Sequence, residues 1–259
     1  MDIQAYCQLT EELRSNLDRD NRVLALIALG SMAETKRMPD DWSDHDFFVI
    51  TQAGEQENFR TDLSWLPHHE RIVLNIRETA HGLKVLYDNA HLLEFAVFDT
   101  EELQVARVNE YRILFDKADI STHLASLVRN ELPTVNVQHE LSMVLALLLV
   151  GAGRYARGEH LSAHAFVKTY LLYHLLPLLR QHLKADDTSP LDSLDPIRRF
   201  EQVFPEIGTE INQIMLMPTV EAAQNILQLV DRLLHDTLPD YPLQSVQVVK
   251  GYLERIGKH

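Results

Sequence analysis

Arg22-Val-Leu-Ala-Leu-Ile-Ala-Leu29 closing on Gly30-Ser31, with Asp44-His45-Asp46 leading into Phe47-Phe-Val-Ile50 after twelve intervening residues, decides how this chain is read. The first apolar run has the length and composition of a buried strand ending at a glycine, and the second reads as a strand opening on Asp46. Alternation along a strand puts Asp44 and Asp46 on one face. Paired carboxylates hold hard cations, and a Gly-Ser turn lets a phosphate tail approach the backbone. The loop Asp40-Asp41-Trp42-Ser43-Asp44-His45-Asp46 is acidic throughout, and most such loops are merely solvated. Its place between two strands is what sets this one apart.

The chemistry that wants this arrangement is transfer of a nucleoside monophosphate. An attacking oxygen and a departing pyrophosphate both carry negative charge beside an anionic phosphorus, so divalent metals must bridge them. Mg²⁺ prefers one or two carboxylates completed by phosphate oxygens and water, which an Asp-x-Asp pair provides beside a triphosphate. Two Mg²⁺ ions on Asp44 and Asp46 are expected, with ATP or another nucleoside triphosphate as co-substrate. Gly30, Ser31 and the nearby backbone N–H groups are the candidate phosphate cradle.

Strand, Gly-Ser, loop, then Ser43-Asp44-x-Asp46 resembles the nucleotidyltransferase superfamily typified by DNA polymerase beta. Within it the chain is similar to the lincosamide and aminoglycoside nucleotidyltransferases. His91-Leu-Leu-Glu94-Phe-Ala-Val-Phe-Asp99 stands where that family has a later strand bearing a third carboxylate, so the resemblance implies Glu94 as general base and third metal ligand beside Asp44 and Asp46. Arg112-Ile-Leu-Phe-Asp116 matches a last strand ending in aspartate. Arg157-Gly158-Glu159-His160 resembles a turn in the helical domain of the lincosamide enzymes, and a helix C-cap at Gly158 accounts for it structurally. The resemblance also implies transfer of AMP from ATP to a hydroxyl of a small molecule, an antibiotic among the candidates, and fits a homodimer.

Read as a strand, the Glu94 segment puts Leu92, Glu94, Ala96 and Phe98 on one face, so Glu94 is a lone charge among apolar neighbours. Burial would raise its pKa and nearby metals would lower it, and an edge-strand glutamate facing water is the bland alternative. Asp99, three residues before Glu102, instead has the pattern of a helix N-cap.

The 259 residues, 46% hydrophobic and 24% charged, suit a globular chain with a sizeable core. A single cysteine, Cys7, rules out an internal disulfide framework and suits a reducing cytoplasm. The opening residues have no signal-peptide pattern, and the apolar block Met143–Val150 is too short to span a bilayer, so no membrane partner is expected. The net charge of −14 disfavours nucleic acid and mildly favours a cationic acceptor, although acidity for solubility alone is common.

Along the chain, a helix is expected over Ile3 to Leu17 and another over Gln56 to Leu66, with further short strands at 71–76, 83–87, 92–98 and 112–115. Helical periodicity then takes over at His139–Tyr155, Leu161–Leu183, Pro196–Val203, Val220–Leu238 and Leu243–Ile256, with a kink or restart at Pro177. The expected class is α+β: a nucleotidyltransferase domain with a mixed sheet and flanking helices over residues 1–118, then an all-α bundle of about five helices over 119–259 acting as substrate-binding lid.

Lys168 and Arg154 on those helices are candidate triphosphate ligands, each equally readable as surface charge. His160 and His164 are four apart, yet no third ligand at the right spacing completes a zinc set. Tyr155, Phe166, Tyr170 and Tyr173 read as helix packing. Walker, dinucleotide and nucleophile-elbow motifs are absent from the sequence. The competing reading is a non-catalytic or regulatory nucleotidyltransferase-like protein whose helical half is an interaction module of the toxin/antitoxin type.

Overall fold

The computed structural model describes residues 1–258. The chain divides into two compact units, Met1–Asn130 and the segment from Glu131 onward. The class is α+β, with a mixed sheet confined to the first unit and the second unit helical.

Six strands build the sheet: β1 (Val23–Leu29), β2 (His45–Thr51), β3 (Ile72–Arg77), β4 (Gly82–Tyr87), β5 (Leu92–Phe98) and β6 (Tyr111–Asp116). Their spatial order is β3-β4-β5-β2-β1-β6, and the β2–β5 pair is parallel while the other neighbours are antiparallel. The apolar run of β1 lies between β2 and β6 and is buried almost throughout, which explains why it shows no polar alternation.

Each face of the sheet has its own core. Helix α1 (Ile3–Arg19) is capped by the Asp2 carboxylate, which accepts from the Ala5 N–H at 2.9 Å. Its Tyr6, Leu9, Leu13 and Leu17 recur at helical spacing and pack with Leu26, Phe47, Val49 and Phe95. The other face gathers Ile27, Ile50, Ala96 and Phe98 with Leu103 and with Ile120 and Leu124 of α3 (Ile120–Ala125). Asp116, at the end of β6, accepts from the backbone N–H groups of Ala118, Ile120 and Ser121 and so sets α3 in place. Helix α2 (Gln56–Thr61) is shorter than the expected run to Leu66, because Trp65 turns back to donate to the Phe59 carbonyl at 3.0 Å.

In the second unit the helices are α4 (Val137–Ala156), α5 (His160–Ala165), α6 (Leu172–His182), α7 (Phe200–Val203), α8 (Pro205–Leu216), α9 (Thr219–Leu234) and α10 (Leu243–Ile256). This corrects the expected five. The pattern over 161–183 is not one helix: residues 166–170 form a π-helical turn between α5 and α6. The irregularity expected at Pro177 therefore falls upstream, and α6 runs through the proline. Helix α8 was not expected, and Pro205 occupies its first turn, where its missing N–H costs nothing. Gly158 takes φ of +79° and donates to Tyr155 O while Glu159 donates to Arg154 O, so the chain leaves α4 through a Schellman turn. No helix among the described residues is long and apolar enough to cross a membrane.

Candidate active site

The centre of the first unit's site is set by strand register. Parallel pairing puts Asp46 of β2 directly beside Glu94 of β5, near the start of both strands. Asp44 lies just before β2, on the same side as Asp46. Each of the three offers a carboxylate oxygen, and these oxygens lie within 4.8 Å of one another at half-buried positions. Such a set of hard oxygen donors fits Mg²⁺ rather than a softer transition metal. Glu94 is on no edge: β5 is flanked by β4 and β2.

The Gly-Ser turn closes on the same carboxylates. β1 ends at Leu29, and Gly30–Ala33 forms a single 3-10 turn. Gly30 has φ of +51°, a conformation that favours glycine, and a Cβ there would stand 3.1 Å from Asp46 Oδ2 and crowd that carboxylate. The Tyr6 phenol of α1 donates to the Asp44 carbonyl at 2.9 Å. Helix α1 is thus tied to the acidic half of the motif. Burial raises the Tyr6 pKa, with Asp46 and Asp44 adding to the effect through their charge.

One residue away, on the opposite face of β2, polarity is used differently. His45 is fully buried, stacked on Tyr6 at 3.8 Å, and joined through Nε2 to the Thr10 hydroxyl at 2.9 Å and through Nδ1 to His91 Nε2 at 2.7 Å. Burial, reinforced by His91, pushes its pKa down to about 3, so it is a neutral packing element beneath the carboxylates.

Two basic residues enter that sequence reasoning did not single out for chemistry. Lys84 of β4 pairs in register with Glu94, and its Nζ lies 3.1 Å from Glu94 Oε1. The hydrogen bond to Glu94, then that to Glu78, raises the lysine pKa. Arg112, read from sequence only as a strand boundary, donates to the Met32 carbonyl at 3.2 Å and pairs with Glu34 at 3.1 Å, bracing the 3-10 turn. The signal for Lys84 was a charge in the alternating run Leu83-Lys-Val-Leu-Tyr87, but only the register makes Glu94 its neighbour.

The remaining candidates are each engaged elsewhere. Asp99 accepts from the Glu101 and Glu102 N–H groups at 2.9 and 2.8 Å while its own N–H donates to Glu102 at 3.4 Å, a capping box on a short 3-10 helix. In the helical unit, Arg154 donates to Ser162 at 2.7 Å, pairs with Glu159 at 3.3 Å and lies over the Phe166 ring. Lys168 sits in the π turn and donates to the Met217 carbonyl at 2.5 Å. His164 bonds the Thr219 hydroxyl at 2.9 Å, and His160 stands edge-on to Tyr155.

No family model and no curated protein matches this chain. Among solved structures, the chain is similar to an aminoglycoside 6-adenyltransferase from Bacillus subtilis at 12% identity, covering 96% of this chain and 97% of that one with a TM-score of 0.33. It is also similar to the Bradyrhizobium diazoefficiens CD-NTase CdnG in complex with GTP, at 12% identity, with 100% and 87% of the two chains covered and a TM-score of 0.28. A STING-associated CdnE c-di-GMP synthase from Capnocytophaga granulosa gives 12% identity, coverage of 98% and 79%, and a TM-score of 0.30. Likeness at this level fixes no activity.

Proposed function

We propose that the chain is a metal-dependent nucleotidyltransferase that moves a nucleoside monophosphate, AMP from ATP in the first instance, onto a hydroxyl of a small-molecule acceptor. The observation that carries this reading is the gathering of Asp44, Asp46 and Glu94 oxygens within 4.8 Å beside the Gly30-Ser31 turn. Like charges brought so close repel one another unless a cation joins them.

Asp44, Asp46 and Glu94 would hold Mg²⁺, which when bound offsets the charge on the attacking and leaving oxygens of phosphoryl transfer. The turn after β1 supplies backbone N–H groups to the outer phosphates, and the glycine keeps that approach clear of a side chain. Glu94 takes the proton from the acceptor hydroxyl. The acceptor oxygen bonds to the α-phosphorus as the bond to the bridging oxygen breaks, and pyrophosphate leaves. An aminoglycoside or lincosamide is the acceptor class the sequence resemblance suggests, and the net charge of −14 supports a cationic one.

The test is incubation with labelled ATP, Mg²⁺ and a panel of aminoglycosides, lincosamides and cellular metabolites, followed by mass analysis. A nucleotide added to an acceptor, lost on chelation, is expected. Absence of transfer together with no Mg²⁺-dependent thermal stabilisation by ATP or GTP would favour the non-catalytic reading.

A further inference from the structure

Across three neighbouring strands the pairing sets Lys84 opposite Glu94 and Glu94 opposite Asp46. Directly paired residues project on one face, so the row reads ammonium, carboxylate, carboxylate, with Asp44 completing the acidic end. The ammonium group is itself shared, because Lys84 Nζ stands 3.1 Å from Glu94 Oε1 and 3.1 Å from Glu78 Oε1.

We propose that Lys84 is a positioning residue: a built-in counter-cation that engages one oxygen of Glu94, so that a divalent ion entering the cluster shares this carboxylate with an ammonium group and binds less tightly than the three carboxylates alone would hold it. The proposal deepens the nucleotidyltransferase reading and rests on its metal cluster alone. Three carboxylates gathered within 4.8 Å bind a divalent ion tightly, and a site that must release product with its metal gains from a permanent positive charge at its margin. The lysine also restrains Glu94. With Nζ against Oε1, the carboxylate keeps one orientation beside Asp46, whereas a half-exposed glutamate on an open strand face would sample several. Glu78 tempers the effect by drawing the ammonium group partly away from Glu94.

The experiment is a Mn²⁺ titration of the full chain at low ionic strength, without nucleotide, read by electron paramagnetic resonance, alongside kcat for transfer. Lys84→Met is expected to tighten Mn²⁺ binding by roughly tenfold, the effect of removing one unit charge about 5 Å from a divalent ion, while kcat falls. Lys84→Arg keeps the charge and should restore wild-type Mn²⁺ affinity to within about twofold. Glu78→Gln should weaken Mn²⁺ binding. A lysine that only braces the sheet would, when replaced by Met, lower the melting temperature and leave the Mn²⁺ dissociation constant unchanged, and that result overturns the proposal. Wild-type protein that takes up no Mn²⁺ would overturn the metal cluster and Lys84's role with it, whereas unaltered binding in Lys84→Met sinks the lysine alone.

Discussion

Among the described residues, the sheet unit crowds three carboxylates together at one point and the helical unit has no such cluster, while both units settle other charges in pairs, as Arg71 with Asp88 and Asp192 with Arg199. In the first, Asp44, Asp46 and Glu94 crowd together at half-buried positions with Lys84 against one of them. In the second, charged groups are settled one by one: Asp192 with Arg199 at 2.8 Å, His174 with Glu140 at 2.7 Å, Arg154 with Glu159 and Ser162. Gathered like charges lower stability, so their retention marks where the chain awaits a cation, whereas matched charges mark where it holds itself together.

The sharpest way to break this contrast is Asp46→Asn. Transfer should fall on the order of a thousandfold, corresponding to ~4 kcal/mol of lost charge stabilisation. The melting temperature in chelator should be unchanged or higher, because a repulsion is relieved. A protein that is destabilised yet still turns over would place Asp46 among the structural carboxylates.

Asp192→Asn is the opposite case. Asp192 and Arg199 have side chains only 4% and 8% exposed, and Asp192 also accepts from the Leu194 N–H at 2.9 Å. Asparagine takes the counter-charge from a buried guanidinium that keeps its bond to the Pro190 carbonyl at 2.6 Å, so denaturant unfolding should show a loss of about 3 kcal/mol. A loss below about 1 kcal/mol would mean that the pair is solvated.

Acid should reach the sheet unit through His45. Its folded pKa, about 3, lies below the ordinary value of 6.5, so between those limits the unfolded chain takes up a proton that the folded chain refuses. The contribution is fully present above pH 6.5 and lost as pH falls toward 3, amounting to about 2 kcal/mol by pH 5. His91, also shifted down by burial, acts in the same direction. Chelator-treated protein followed by chemical denaturation at pH 8 and pH 5 should show the loss, and His45→Gln should flatten it.

The smallest effects are expected from Arg154→Ala and Lys168→Met. Each removes hydrogen bonds made within the helical unit, to the Ser162 hydroxyl and to the Met217 carbonyl, so denaturant unfolding should show a loss of about 1 kcal/mol. A loss of about 3 kcal/mol or more would rank these cations with the buried Asp192–Arg199 pair.

Much of the sheet unit was legible because its signals are local. A run of seven apolar residues ending in glycine, and a strand expected to open on Asp46 that in fact opens one residue earlier at His45, need no knowledge of neighbours. The Asp99–Glu102 cap and the Gly158 turn were readable for the same reason: their bonds span three to five residues. The helical unit was less transparent. The helix that starts at Pro205 was not expected, and nothing in the apolar pattern over 161–183 announces a π turn. Glu94 looked like a lone charge along its own strand, and its charged neighbours, Lys84 and Asp46, lie across strands.

Two apolar runs flanking a Gly-Ser turn and an Asp-x-Asp pair, the shared face of Asp44 and Asp46, and the helices that follow could all be read from the residue order, because period and turn chemistry act over a few residues. It took the folded chain to show that β2 and β5 lie side by side and parallel in a register that brings Asp46 to Glu94, that Lys84 closes the row, that His45 is sealed against Tyr6, and that Gly30 stands against Asp46 Oδ2. Strand order and register come from fitting two separate cores to the two faces of one sheet, and a shift of one residue would have turned each of these side chains to the other side.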